Sequence, residues 1–262
     1  MRDLAPDHAL AAELAGGAGE LLVALRAELT EAGADPSTLK AEGDARSHEW
    51  LMDQLAVRAP GDAVLSEEGS DDDRRLGAPA VWIVDPLDGT REFSEVGRSD
   101  WAVHVALCID GTCPVGAVAL PAAGRTLATP SPPAPTWAEG AELRLVVSRT
   151  RPPAAAVALA ERLGGELVAM GSAGAKAMAV VLGDADIYVH TGGQYEWDSA
   201  APAAVAAAAG LHVSRVDGRP LRYNNPDPYL PDLLICRPDL AAAVLEALAE
   251  VLEDDPPVAE RR

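Results

Sequence analysis

An α/β fold (α+β in some schemes) is predicted by three features of this sequence. Hydrophobic residues make up 48% of it but aromatic ones only 4%, so the core must be built from Ala, Val and Leu, as alanine-rich helices against valine-rich strands. Leu10, Leu14, Leu21, Leu22, Leu25 and Leu29 recur at three- and four-residue steps over 9–29, the period of one helix face. Short apolar runs at 63–65 and 81–84 each stop abruptly at acidic residues, as buried strands do when they carry polar side chains at their ends.

Taken in order, a first helix is expected over 9–29 and a second over 44–57, followed by strands 63–65 and 81–84. Residues 101–109, the Asp110-Gly111 turn and 112–120 read as a β-hairpin, which interrupts a purely alternating βαβ pattern. Pro130, Pro132, Pro133 and Pro135 crowd a segment that can sustain neither a helix nor a central strand. This sets an N-terminal α+β half over 1–138 and a C-terminal α/β half over 139–262. In the second half strand 143–147, helix 153–163, strand 166–169, helix 176–182 and strand 187–189 alternate. The alanine-rich run 199–209 reads as helix with Asp198 placed to cap it. Strand 233–236 and helix 240–252 close the pattern, and 254–262 reads as a frayed tail. A chain of 262 residues buries a core without help from disulfides or metals.

The 41 acidic residues exceed the 21 basic ones for a net charge of −20, which disfavours nucleic-acid backbones and anionic membrane surfaces as partners. Cys108, Cys113 and Cys236 form an odd set without a CxxC pair, and two lie in apolar runs where a thiol packs well, so a reducing cytoplasm is expected. The N-terminal residues carry Asp and Glu where a secretory leader is basic, and no uncharged apolar stretch reaches the roughly 18 residues of a membrane span.

The chemistry is concentrated in VWIVDPLDGTREF, residues 81–93. Asp85 emerges at the end of a buried strand, Pro86 is expected to stop that strand, and Asp88 returns three residues later to face the same small volume. Two carboxylates so placed raise each other's proton affinity unless a cation compensates them, and an all-oxygen donor set suits a hard ion such as Mg²⁺. Gly89 and Thr90 follow at an expected helix N-terminus, where main-chain N–H groups favour phosphate oxygens. Glu67 and Glu68 close the earlier strand in AVLSEEG, and Asp198 heads a helix in YEWDSAAPA, so three element ends present carboxylates.

In this order and spacing the EE, DPLDGT and WDSAA strings resemble the inositol monophosphatase family, over about Leu10 to Cys236. The resemblance implies the layered αβαβα sandwich of the inositol monophosphatase and fructose-1,6-bisphosphatase type, with lithium-sensitive, Mg²⁺-dependent phosphatase chemistry. By the same resemblance Glu67, Asp85 and the main-chain carbonyl of Leu87 would hold one metal, Asp85, Asp88 and Asp198 a second, and Glu68 would stand behind them. Asp44 matches an aspartate that hydrogen-bonds the DGT threonine. The family motif there continues into Thr and Asp, whereas this chain reads Asp44-Ala-Arg-Ser-His48, which leaves a third Mg²⁺ open. Catalysis would rest on Asp44, Glu67 and Thr90, with Leu87, Asp88, Gly89, Thr90 and Asp198 also meeting substrate.

Arg91-Glu92-Phe93 after DGT, and Glu196-Trp197-Asp198, resemble the 3′-phosphoadenosine 5′-phosphate phosphatase (bisphosphate nucleotidase, CysQ-like) branch more than inositol monophosphatases proper. The expected substrate is then a small phosphorylated nucleotide met in sulfate assimilation, with inositol 1-phosphate and fructose 1,6-bisphosphate as alternatives on the same metal core. Arg91, Arg149, Ser172 and Lys176 are candidates for its contacts. Trp82, Trp101 and Trp197 are read as packing residues and His104 as a core histidine, because Mg²⁺ sites favour oxygen over imidazole. The resemblance is compatible with a monomer or a homodimer.

Rival readings fare worse. Haloacid-dehalogenase chemistry needs its aspartates two residues apart, whereas Pro86 and Leu87 both intervene here. An EF-hand loop would need alternating ligands and a terminal Glu that DPLDGTREF lacks. A non-catalytic metal or nucleotide sensor should have lost a ligand, and all four carboxylates are present.

Overall fold

Residues 2–137 and 140–254 are described by a computed structural model. The boundary expected between 138 and 139 and the expected tail beyond 254 fall outside the described residues. The first sheet runs in the order β1 (Ala63–Ser66), β2 (Val81–Asp88), β3 (Ala102–Ile109), β4 (Thr112–Leu120) and β5 (Arg125–Ala128), with β1 and β2 parallel and the rest antiparallel. Later come β6 (Arg144–Ser148), β7 (Glu166–Met170), β8 (Ile187–His190), β9 (Gln194–Tyr195), β10 (His212–Ser214), β11 (Tyr229–Leu230) and β12 (Leu233–Cys236). They assort as a second sheet, β10-β12-β8-β6-β7, and a two-stranded ribbon of β9 with β11.

Period-two alternation along the strands sets the layers. In β2, Trp82 and Val84 face a core shared with helices α1 (Ala5–Glu31) and α2 (Pro36–Arg58). Val81 and Ile83 face the opposite way. After the short helix α3 (Thr90–Ser94) and α4 (Ala154–Leu163) come α5 (Ala173–Val181) and α6 (Glu196–Ala208), which fill the space between the two sheets with Met178, Val180 and Val205. Beyond the second sheet, Leu145, Val147, Ile187 and Val189 pack on α4 and α7 (Ala241–Asp254). The order helix, sheet, helix, sheet, helix is the expected αβαβα sandwich.

Several local expectations are corrected. Pro86 does not end β2, because the register with β3 slips between Asp85, opposite His104, and Asp88, opposite Ala102, and the irregularity accommodates a residue without an N–H. The second helix starts at Pro36, capped by Asp35, whose carboxylate accepts the N–H groups of Ser37 and Thr38. Its predecessor α1 is long and apolar enough to cross a membrane by length and composition. Here Ala11, Leu14, Ala15, Ala18 and Leu22 are wholly covered by the fold. Cys108 and Cys113 are not free thiols but a disulfide across the β3–β4 hairpin, with Cα atoms 4.0 Å apart. The two-residue Asp110-Gly111 turn pairs Ile109 with Thr112, which sets Cys108 opposite Cys113, and the cysteines no longer support a reducing compartment. Cys236 is free and buried.

Candidate active site

Four element ends build the site. Glu67 follows β1 directly, held to the neighbouring strand by its N–H on the Val84 carbonyl at 3.3 Å. Asp85 sits within β2, 1% exposed, its Oδ1 accepting the Leu87 N–H at 3.0 Å. Asp88 ends β2 and meets the start of α5: it accepts the Ser172 hydroxyl, the Ala173 N–H at 3.1 Å and the Gly174 N–H at 2.6 Å. Asp198 lies inside the first turn of α6, not at its cap, and its Oδ2 reaches back to the Tyr195 N–H at 2.6 Å. Asp85, Asp88 and Asp198 each bring a carboxylate oxygen within 4.8 Å of the others.

Such convergence is electrostatically costly, and the protonation equilibria register it. Burial, then Glu67, Asp88 and Asp198, push the Asp85 carboxyl well above the ordinary range. Glu67 is pushed up to about 7, by burial first and then by Asp198 and Asp88. Glu67 is nonetheless an exposed residue, and its interaction with Asp85 works against the rise. Burial, then Asp88, raise Asp198 to about 6. Asp88 goes the other way: burial opposes its charge, but His104, Lys176 and the Ser172 hydroxyl together hold it well below the usual range.

This donor set fits a divalent cation. It is all oxygen, its like charges lack compensation at Asp85 and Glu67, and the family-implied ligands Glu67, Asp85, Asp88 and Asp198 are brought together. Asp88 Oδ2 already meets Ser172, Gly174 and His104, which leaves Oδ1 the freer ligand atom. The Leu87 carbonyl accepts the Thr90 hydroxyl at 3.1 Å, and that same hydroxyl lies 3.2 Å from Asp44 Oδ1. Burial, then the Glu68 charge, raise Asp44 to about 6. Gly89 precedes α3 with φ of +85°, and α3 has only 5 residues, so individual N–H groups, rather than a helix dipole, would meet an anion there.

The expected substrate contacts are placed unequally. Arg149 donates to Glu92 Oε1 and Glu95 Oε1, each at 2.6 Å, so its charge is already paired. Ser172 spends its hydroxyl on Asp88. Lys176 is 5% exposed and donates from Nζ to the carbonyls of Ser172 at 2.6 Å and Gly171 at 3.1 Å. Ser148, Ser172 and Lys176 lie between two recesses. One, of about 370 Å³, opens on Glu67, Asp88 and Asp198 and is walled by Tyr195, Trp197 and Tyr229. The other, of about 560 Å³, is lined by Arg91, Arg149 and Arg151.

Two kinds of residue escaped the sequence reading. His104 is a core histidine as expected, fully buried, but it stands in the site: Nδ1 lies 3.0 Å from the Trp197 carbonyl, and Nε2 approaches Asp88 Oδ2 at 3.2 Å without hydrogen-bond alignment, a Coulombic contact. Trp82 and Trp101 are packed away, whereas Trp197 lines the recess beside Tyr195. The available signal for this wall was position, since Tyr195 and Trp197 flank Glu196 just before the metal-ligand candidate Asp198.

A family model described as the inositol monophosphatase family matches residues 3–253. A relative from Mycobacterium leprae named 3′-phosphoadenosine 5′-phosphate phosphatase is 53% identical over 258 residues, 94% of either chain. The Escherichia coli 3′(2′),5′-bisphosphate nucleotidase CysQ is 32% identical over 210 residues, 75% of this chain and 84% of that one. Among solved structures, CysQ from Bacteroides thetaiotaomicron superposes with a TM-score of 0.71 at 26% identity, covering 88% of this chain and 97% of its own.

Proposed function

The chain belongs to the inositol monophosphatase family and is a phosphatase of that family, and from this premise we propose that it hydrolyses the 3′-phosphate of 3′-phosphoadenosine 5′-phosphate with Mg²⁺. The observation that carries the reading is the approach of Asp85, Asp88 and Asp198 oxygens to within 4.8 Å beside an open cavity. Relatives at 53% identity named for that activity support the choice of substrate. The setting in sulfate assimilation, the cytoplasmic location and inhibition by lithium belong to the same reading.

Glu67, Asp85, Asp88, Asp198 and the Leu87 carbonyl would hold two Mg²⁺ ions, which when bound supply positive charge against the phosphoryl oxygens and acidify water. The protein's own groups do the rest. With its proton given to Asp44, the Thr90 hydroxyl turns a lone pair outward to hold the attacking water. Glu67 would orient the same water from the side opposite Thr90. Gly89 and Thr90 N–H groups hold the phosphoryl oxygens in line, and Lys176 fixes the Gly171-Ser172 turn between the two recesses.

The test is phosphate release compared across 3′-phosphoadenosine 5′-phosphate, inositol 1-phosphate and fructose 1,6-bisphosphate. At least about tenfold higher kcat/KM on the nucleotide is expected. A preference of that size for inositol 1-phosphate overturns the substrate assignment while leaving the metal chemistry intact.

A further inference from the structure

We propose that the ribbon of β9 and β11 is a base-binding wall, on which Tyr195 and Tyr229, backed by Trp197, receive the planar base of a nucleotide whose phosphate lies at the carboxylate cluster. The inference rests on the nucleotide reading above and says which side chains recognise it.

The geometry is built, not incidental. Tyr195 and Tyr229 are directly paired across the ribbon, so their side chains leave the same face. Their rings meet edge to face with centroids 6.1 Å apart, and Tyr195 stacks on Trp197 at 4.8 Å with planes 8° apart. Tyr195 and Tyr229 remain 46% and 43% exposed, unusual for large rings in a chain so poor in them. Both line the same cavity as Glu67, Asp88 and Asp198. The wall is also tied to the cluster by a hydrogen bond, from the Tyr195 N–H to Asp198 Oδ2 at 2.6 Å.

The wall is also held in shape. Gly193 has φ of +79°, and a Cβ there would fall 2.1 Å from the Tyr229 hydroxyl, so only glycine lets that ring lie across the backbone. The fully buried Glu196 accepts the N–H groups of Asn224 at 2.6 Å and Asn225 at 2.8 Å, and Asn224 Oδ1 in turn accepts from Arg75 at 2.7 Å. That anchors the segment leading into β11. Gln194, 7% exposed in the same lining, has an Nε2 without a hydrogen-bond partner among the described residues, a donor left for an acceptor on the ligand. Exposed, fixed aromatic faces beside a phosphate site offer a planar base a stacking surface.

The test compares the nucleotide with glycerol 2-phosphate, a base-free ester, in Tyr229→Leu and Tyr229→Phe proteins. Loss of the ring is expected to raise KM for the nucleotide about tenfold, with kcat and the glycerol 2-phosphate kcat/KM within about twofold of wild type, and Tyr229→Phe to restore KM. An unchanged nucleotide KM in Tyr229→Leu overturns the wall while the nucleotide reading stands. Equal loss on both substrates overturns it as a base site and makes Tyr229 a general packing residue. A wild-type protein with no preference for the nucleotide over glycerol 2-phosphate overturns both.

Discussion

The main-chain N–H of Gly174 donates to Asp88 Oδ2 at 2.6 Å, tying the end of β2 to the start of α5. His104 closes on this contact from below, and a Cβ at position 174 would lie 2.0 Å from its Nε2. Nothing there is flexible enough to yield cheaply. Gly174→Ala is therefore expected to displace Asp88 and lower kcat by about 10²-fold, with an overpacking cost of about 1–3 kcal/mol seen as a lower Tm. Wild-type kcat in a folded Gly174→Ala protein would show that Asp88 need not be held there.

Removing the cation should make stability fall as pH rises. Glu67 at about 7, Asp198 and Asp44 at about 6, and Asp85 well above the ordinary range all have raised values in the folded chain. A raised folded value means the native state binds protons more tightly than the unfolded one, so the contribution is present at low pH and lost as pH climbs through those values. Chelator-stripped protein is expected to melt at a lower temperature at about pH 8 than at about pH 6, and Mg²⁺ to raise Tm more at the higher pH. Thermal scans with and without chelator read this directly, and a cation-free Tm that rises with pH contradicts it.

Asp85→Asn separates stability from function. Asparagine keeps an oxygen for the Leu87 N–H but removes a buried charge that, without a cation, has no compensation. The cation-free variant should be more stable than cation-free wild type at about pH 8, and should gain less Tm from Mg²⁺.

Thr90→Val tests the water-orienting role. The hydroxyl bridges the Asp44 carboxylate and the Leu87 carbonyl, and valine keeps the volume without either contact. We expect kcat to fall about 10²-fold with KM changed less than about threefold, the signature of a group that acts in the transition state. A rise in KM with kcat intact would move Thr90 into ground-state binding.

How much of this was legible depended on whether local sequence or long-range register decided the position. Asp85 could be placed because an apolar run over 81–84 demands burial and the acidic residue after it needs a reason. Asp198 was found as an acidic residue heading an alanine-rich helix, although that helix begins at Glu196 and the side chain reaches back to Tyr195. Pro86 misled, because a slip against His104 and Ala102 lets β2 run on to Asp88, and no feature of β2 alone encodes its partner's register. The Cys108–Cys113 disulfide was legible in principle, since the Asp110-Gly111 turn that pairs Ile109 with Thr112 sets the two cysteines opposite each other. The ribbon of β9 and β11 joins residues far apart in the chain through 2-residue strands, too short for periodicity to register.

The claim beneath all of this is that carboxylates from β1, β2 and α6 hold divalent cations for phosphate-ester hydrolysis. Phosphate release from 3′-phosphoadenosine 5′-phosphate by chelator-stripped protein, titrated with Mg²⁺ beside Asp85→Asn, tests it most directly. The result expected is no release without cation, saturable recovery in wild type, and at least about 10²-fold lower kcat in the variant. Undiminished release from the stripped protein, or wild-type turnover by Asp85→Asn, would contradict it.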